Sequence, residues 1–248
     1  MLTYREHAPP PELAGAVRSF WTLRGDGHGD GASATPDRIL PDGAFELVFH
    51  LGDPFVRDGV AQPRAMLVGE IRRPTLVHAT ANADVIGVSF HVGAAAEFFA
   101  MPMRELSDQI LPLEDVFGSA VAEATAFGFQ SGGFAAALLK RRRPENALAK
   151  AAVRIIRARG GNVRMRELSA LLGPSERTIA RGFDDCVGMP PKVFARLMRF
   201  HALLAHPDRD AGYVDDSHLI HDFREFSGTT PAQFRQEQHA LGNAFLRD

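Results

Sequence analysis

Residues 168–181 commit the chain to a corner. Leu168, Leu171 and Leu172 set an apolar stripe on a short helix that Gly173 stops. Ser175 then supplies a good cap for a second helix. On that second helix Ile179 and Phe183 are spaced to face inward, whereas Glu176, Arg177, Thr178 and Arg181 fall on the outside of its first turns. Two short helices joined by a tight glycine turn form the helix-turn-helix pattern, in which the second helix leaves its N-terminal end projecting. One reading is a packed helix pair with surface arginines. The sharper one gives the projecting end a binding role.

A projecting helix end of this kind fits the major groove of a duplex, which is about 12 Å wide. Ser175, Glu176, Arg177, Thr178 and Arg181 are therefore candidate DNA contacts. The charge distribution agrees. The whole chain carries a net charge of −2, which favours no partner. Residues 145–210, however, hold 12 Lys+Arg against 7 Asp+Glu, while residues 211–248 hold 3 against 6. Only the first of these blocks is suited to approach phosphates.

The rest of the chain divides around that corner. Up to residue 117, short apolar runs alternate with Gly, Pro and Asp punctuation: 17–23, 44–49, 65–68, 75–77 and 85–90. Strands at this spacing predict a barrel or sandwich. No Gly-rich turn leads into a helix, which argues against a dinucleotide fold. Residues 94–99 read as a short helix stopped by Pro102, and 113–139 as helical with glycine interruptions. The basic run Lys140-Arg141-Arg142-Arg143 reads either as a solvated hinge or as a nucleic-acid contact. From Glu145 onward only helical spacing remains, with helices expected over 145–159, 165–172, 176–186, 191–205 and 216–227, and a last one after Pro231.

The run from Leu168 through Gly173, Ser175, Arg177, Ile179 and Arg181 to Phe183 resembles the first helix-turn-helix of AraC-family regulators. Val187-Gly188-Met189-Pro190-Pro191-Lys192 resembles the turn that follows it there. Gly212-Tyr213, Asp215, Ser217-His218, Phe223-Arg224, Phe226, Gly228, Thr230-Pro231 and Phe234-Arg235 are similar to that family's second unit. The resemblance covers about 145–238. It implies a second set of candidate DNA contacts, Ser217, His218, His221 and Arg224. In the front half, Ile39-Leu40-Pro41-Asp42-Gly43, Gly87-Val88-Ser89-Phe90 and Leu111-Pro112-Leu113-Glu114-Asp115 are similar to a sensor domain often fused to such readers. That resemblance implies a small cupin-like β-barrel that senses a ligand or mediates dimerisation.

One departure stands out. Between Pro207 and Gly212 no apolar i, i+3, i+4 set could form the positioning helix that the family carries there. The second unit therefore reads as shortened, and DNA binding is expected to lean on the first unit with reduced affinity. Gly182 inside the second helix of the corner, and Arg164 at a position that favours a capping Ser, Thr or Asp, point the same way.

The fold class expected is α+β. Residues 1–117 form a β-rich cupin-like sensor barrel, 118–144 a helical connector, and 145–238 an all-helical DNA-binding domain. The function expected is a sequence-specific transcription regulator with double-stranded DNA as partner, whose front domain senses a small-molecule effector or mediates homodimerisation, with no membrane partner. The alternative is a sensor or dimerisation protein whose DNA-binding half is degraded. No nucleophile elbow, P-loop or paired Cys–His signature supports an enzyme, and no cofactor is expected. The ten histidines form no metal-ligand spacing, so no metal is expected; His50 and His91 end apolar strands and could meet at a barrel mouth. Glu46 points outward by alternation, or inward as the polar group of a pocket, and Trp21 reads as core. The single cysteine, Cys186, has acidic neighbours that disfavour a reactive thiolate and fits a reducing compartment. With a polar start and no membrane-length apolar run, a cytoplasmic location is expected.

Overall fold

A computed structural model describes residues 2–25, 36–118, 133–206, 213 and 216–236. Its strands are β1 (Leu2–His7), β2 (Val17–Gly25), β3 (Asp37–Ile39), β4 (Glu46–His50), β5 (Val56–Arg57), β6 (Val60–Ala61), β7 (Ala65–Val68), β8 (Thr75–His78), β9 (Asp84–Phe90) and β10 (Ile110–Pro112). All pairings are antiparallel. They make a six-stranded sheet in the order β1-β2-β9-β4-β7-β10 and a four-stranded sheet in the order β3-β8-β5-β6.

The inner strands β2, β9, β4 and β7 of the large sheet are buried on both faces, and their period-2 alternation sends apolar side chains both ways. Trp21, Leu23, Val48, Met66 and Val85 turn toward the small sheet and meet Phe55 and Val77. Phe20, Leu47, Phe49, Leu67, Val88 and Phe90 turn the other way, onto Phe98, Phe99, Met103, Phe117 and Phe134. In register, Trp21 stands opposite Gly87. A Cβ at Gly87 would lie 2.0 Å from the indole, so the ring fits only over a glycine.

The expected barrel does not close. The six-stranded sheet ends at β1 and β10, and the four-stranded sheet is separate from it. The small sheet is built from strands of two to four residues. These are too short to carry hydrogen bonding around a full circuit, and helical segments rather than strands cover the far face of the large sheet.

The helices are α1 (Leu113–Phe117), α2 (Gly133–Arg141), α3 (Ala147–Ala158), α4 (Met165–Leu172), α5 (Glu176–Val187), α6 (Pro191–Ala205), α7 (Asp216–Ser227) and α8 (Pro231–Gln236), with 3-10 turns at Ala95–Glu97 and Met103–Glu105. Helices α3 to α8 close around Ile156, Leu168, Ile179, Phe183, Phe194, Leu197, Phe200, Phe223 and Phe226. Full burial of side chains this size contributes about 1.5–3 kcal/mol each. Leu40 and Val92, from the β-rich half, belong to the same core. The two halves therefore pack on one another directly. No described helix is long and apolar enough to cross a membrane.

Three members of the basic run are engaged within the protein. Arg141 stacks 4.4 Å from the Phe117 ring centroid and donates to the Phe117 carbonyl. Arg142 pairs with buried Glu97 at 2.9 Å and donates to the Glu12 carbonyl. Arg143 donates from its backbone to Glu97 and from its guanidinium to Phe99. Three cations thus clamp the connector onto the β-rich half. Residues 207–212, where the sequence offers no positioning helix, and residues 119–132 of the connector lie outside the described residues.

Candidate functional site

The corner forms as its residues dictate. Arg164 offers no capping oxygen, but Glu167 accepts from the Arg164 backbone N–H at 3.1 Å and so caps α4 from inside. Gly173 turns the chain at φ +94°, a region that favours glycine. Ser169 Oγ donates to the Pro174 carbonyl at 2.8 Å and holds the turn. Ser175 Oγ then accepts from the Thr178 backbone N–H at 3.3 Å, capping α5. Ile179 and Phe183 are buried beneath that helix, and it runs unbroken through Gly182. Ser175, Glu176, Arg177, Thr178 and Arg181 are all exposed, so the five share the free N-terminal half of α5.

The other end of α5 is held, which sequence reasoning missed. The Gly188 carbonyl accepts from Arg72 Nη2 and from Ser107 Oγ, both at 2.7 Å. Asp185 pairs with Arg104. Glu70, fully buried beside Arg72, completes this cluster, and burial pushes its carboxyl up to about 7. No periodicity in residues 70–107 could have announced a partner more than 80 positions away. Cys186 is buried here, and burial rather than its acidic neighbours raises its thiol.

On α7, Ser217, His218, His221 and Arg224 are exposed, while Phe223 and Phe226 pack on Phe200 at 5.3 and 5.6 Å between centroids. Arg196 bridges Asp222 and Glu225 from α6. His221, Asp222 and Glu225 lie within 4.8 Å of one another, but the guanidinium already meets both carboxylates. One cation of the protein thus serves both carboxylates.

Between the two sheets lies a cavity of about 110 Å³. Its walls are mainly apolar, with Trp21, Val48, Phe55, Met66, Ile71 and Val77 among them. Polar groups are few, the pattern of a small-molecule site. Glu46 points into the cavity rather than outward, because β4 sends Leu47 and Phe49 to the opposite core. Its carboxyl accepts from Ser89 Oγ, and burial raises it from 4.5 to about 7. Asp42, also on the wall, pairs with Arg18 at 3.1 Å. His50 lines the same space and shares a 3.2 Å hydrogen bond with Gln62 Oε1; burial lowers its pKa. His91 does not meet it, facing Ala14 and Arg157 instead. Trp21 is core, as expected, and cavity wall as well.

Comparisons with known proteins add the following. No curated protein matches the chain. Among solved structures, ToxT from Vibrio cholerae aligns over 94 % of this chain and 97 % of its own, at 9 % identity and a TM-score of 0.44. ToxT from Vibrio cholerae O395 bound to (E)-4-(8-methylnaphthalen-1-yl)but-3-enoic acid aligns over the same shares at 9 % identity and a TM-score of 0.45. Unsaturated fatty acid bound wild-type ToxT from Vibrio cholerae strain SCE256 aligns over 94 % of each chain at 10 % identity, with a TM-score of 0.39. Residues 5–112, which run from β1 to the end of β10, match the family model described as a domain of unknown function, DUF6597.

Proposed function

We propose that this protein is a DNA-binding transcription regulator of the AraC type. A β-rich sensor unit, residues 1–117, joins through a connector, 118–144, to a DNA-binding unit, 145–238. Ser175, Glu176, Arg177, Thr178 and Arg181 meet the major groove, with the arginines on phosphates or guanine edges. Ser217, His218, His221 and Arg224 form a second, weaker contact. The cavity between the sheets receives the effector, and no catalytic step is involved. One observation carries the reading: a capped helix end exposes Arg177 and Arg181 one turn apart, over an underside anchored by Ile179 and Phe183.

The test is fluorescence anisotropy of labelled duplexes covering the gene's own upstream region, titrated with the purified chain over a series of salt concentrations. The reading expects binding at least tenfold tighter to one segment than to a scrambled duplex, weakening steeply with salt. Equal, weak binding to every duplex would favour the other reading, a sensor or dimerisation protein with a degraded reader. The clamped far end of α5 gives that reading its support, since Asp185 and Gly188 are already engaged by the β-rich half.

A further inference from the structure

The cavity wall has a polarity that selects its occupant. At one end of β4 stands Glu46 and at the other His50, about 13 Å apart along an extended strand. The Glu46 carboxyl is served by Ser89 and by the Trp21 indole, both neutral donors, and no salt bridge to it is formed among the described residues. The nearest cation, Arg18, is engaged by Asp42. At the far end, Gln62 Oε1 can only accept, so His50 Nε2 carries the proton and Nδ1 is an acceptor. That Nδ1 is buried and has no hydrogen-bond partner. Above about pH 7, where Glu46 is ionised, its carboxylate and the unfilled imidazole nitrogen are both acceptors. They ask for a ligand that donates, and they repel an acid.

We propose that this cavity binds a small apolar primary amine, its hydrocarbon body against Trp21, Phe55 and Met66 and its ammonium group on Glu46. A single six-membered ring is the upper limit of size, since the cavity's volume of about 110 Å³ lies below the roughly 150 Å³ of a dry cavity that holds benzene. Asp42 lies on the same wall and adds to the negative field. The other charged or titratable groups around Glu46 are Arg18, Tyr4 above the Trp21 ring, Arg57 on the cavity wall, and His50. Of these, Arg18 is held by Asp42 and Arg57 lies beside Asp58 at 3.6 Å, so neither replaces a ligand cation. The proposal rests on the β-rich unit being the sensor, but the binding step stands apart from DNA.

The chain's single tryptophan lies in this wall and reports occupancy directly. Benzylamine, benzyl alcohol and benzoate are titrated against the full chain, with Trp21 fluorescence and thermal unfolding as readouts. Benzylamine is expected to give a saturable change and to raise Tm, and benzoate neither. In Glu46→Gln, benzylamine binding falls about tenfold or more, the loss of a charge-assisted hydrogen bond, and benzyl alcohol binding falls far less, while an unchanged circular dichroism spectrum certifies the fold. In the unaltered chain, benzylamine binding tightens about tenfold from pH 6 to pH 8 as Glu46 ionises, and benzyl alcohol binding changes far less. No saturable signal from benzylamine, or equal binding of benzoate, overturns the proposal. A separate arm repeats the duplex titration with and without benzylamine. Amine binding that leaves DNA binding unchanged keeps the site and removes its sensor role.

Discussion

Arg72 Nη2 donates to the carbonyl of Gly188 at 2.7 Å, joining the segment after β7 to the left-handed residue that ends α5. Ser107 donates to the same oxygen, so both its lone pairs are used. Gly69 and Ile71, the neighbours of Glu70, line the cavity between the sheets. The strand end that lines the cavity is thus continuous with the segment that grips the C-terminal end of α5. Arg72→Ala removes the cation beside buried Glu70, which keeps Ser107 alone, and removes one donor from Gly188. We expect a loss of about 1–3 kcal/mol in urea unfolding and faster amide exchange around residues 184–190. Unchanged stability and exchange would show that the grip contributes nothing.

Gly188 itself tolerates no side chain. It sits at φ +86°, and a Cβ there would lie 2.8 Å from Ser107 Oγ and 3.0 Å from Glu70 Cγ. The left-handed conformation alone costs an L-residue about 1–2 kcal/mol. Gly188→Ala is therefore expected to destabilise by about 2 kcal/mol or more, read as a lower urea midpoint at constant slope. Gly173→Ala, also at positive φ but with nothing within 4 Å of its Cβ, should cost less. An equal loss for both would mean that the contacts at Gly188 add nothing to the backbone term.

Stability should fall as pH rises toward neutrality. Glu46 and Glu70 are each raised from 4.5 to about 7 by burial. Between those values the folded chain holds protons that the unfolded chain has released, so folding is favoured on the acid side. The benefit is full below 4.5 and is lost as pH climbs through about 7. Glu46→Gln and Glu70→Gln should each flatten the decline between pH 5 and pH 8. Denaturant midpoints across that range give the measurement, and an unaltered slope in both variants would contradict it.

Much of this architecture could be read from the sequence, for physical reasons that differ by region. The helices from 147 onward follow from apolar spacing and strong punctuation: Ser175 as cap, Pro191 at a first position, Gly188 and Gly228 as stops. In the β-rich half, the runs at 17–25, 46–50, 65–68 and 84–90 were visible because they are buried on two faces. β1 escaped notice because it lies at a sheet edge, with Tyr4, Arg5 and Glu6 giving it no apolar signal. β5 and β6 have only two residues each. The inward turn of Glu46 is set by a bulge-free register with Ser89, which local alternation cannot choose between. The exposed face of α5 was legible because it is local, whereas its anchored end depends on Arg72, Arg104 and Ser107, which meet it only through the tertiary fold.

DNA binding should depend more on α5 than on α7. Arg177 and Arg181 project from a block with a surplus of cations, whereas Arg224 shares its helix with Asp222 and Glu225 in a block with a surplus of anions. A phosphate contact, when removed, lowers the slope of log K against log salt by about 0.9 and weakens every duplex alike. A base contact, when removed, costs about 1–3 kcal/mol on the preferred sequence and spares the others. Arg177→Ala and Arg181→Ala are expected to lower affinity about tenfold or more each, by one or other of these patterns. Arg224→Ala should change it less than threefold, roughly 0.6 kcal/mol by the tenfold-per-1.4 rule. Anisotropy of the three variants on the same duplexes at several salt concentrations separates the cases. If Arg224→Ala matched the α5 variants, both helices would share the duplex equally, and the imbalance of charge between the two blocks would have no consequence for recognition.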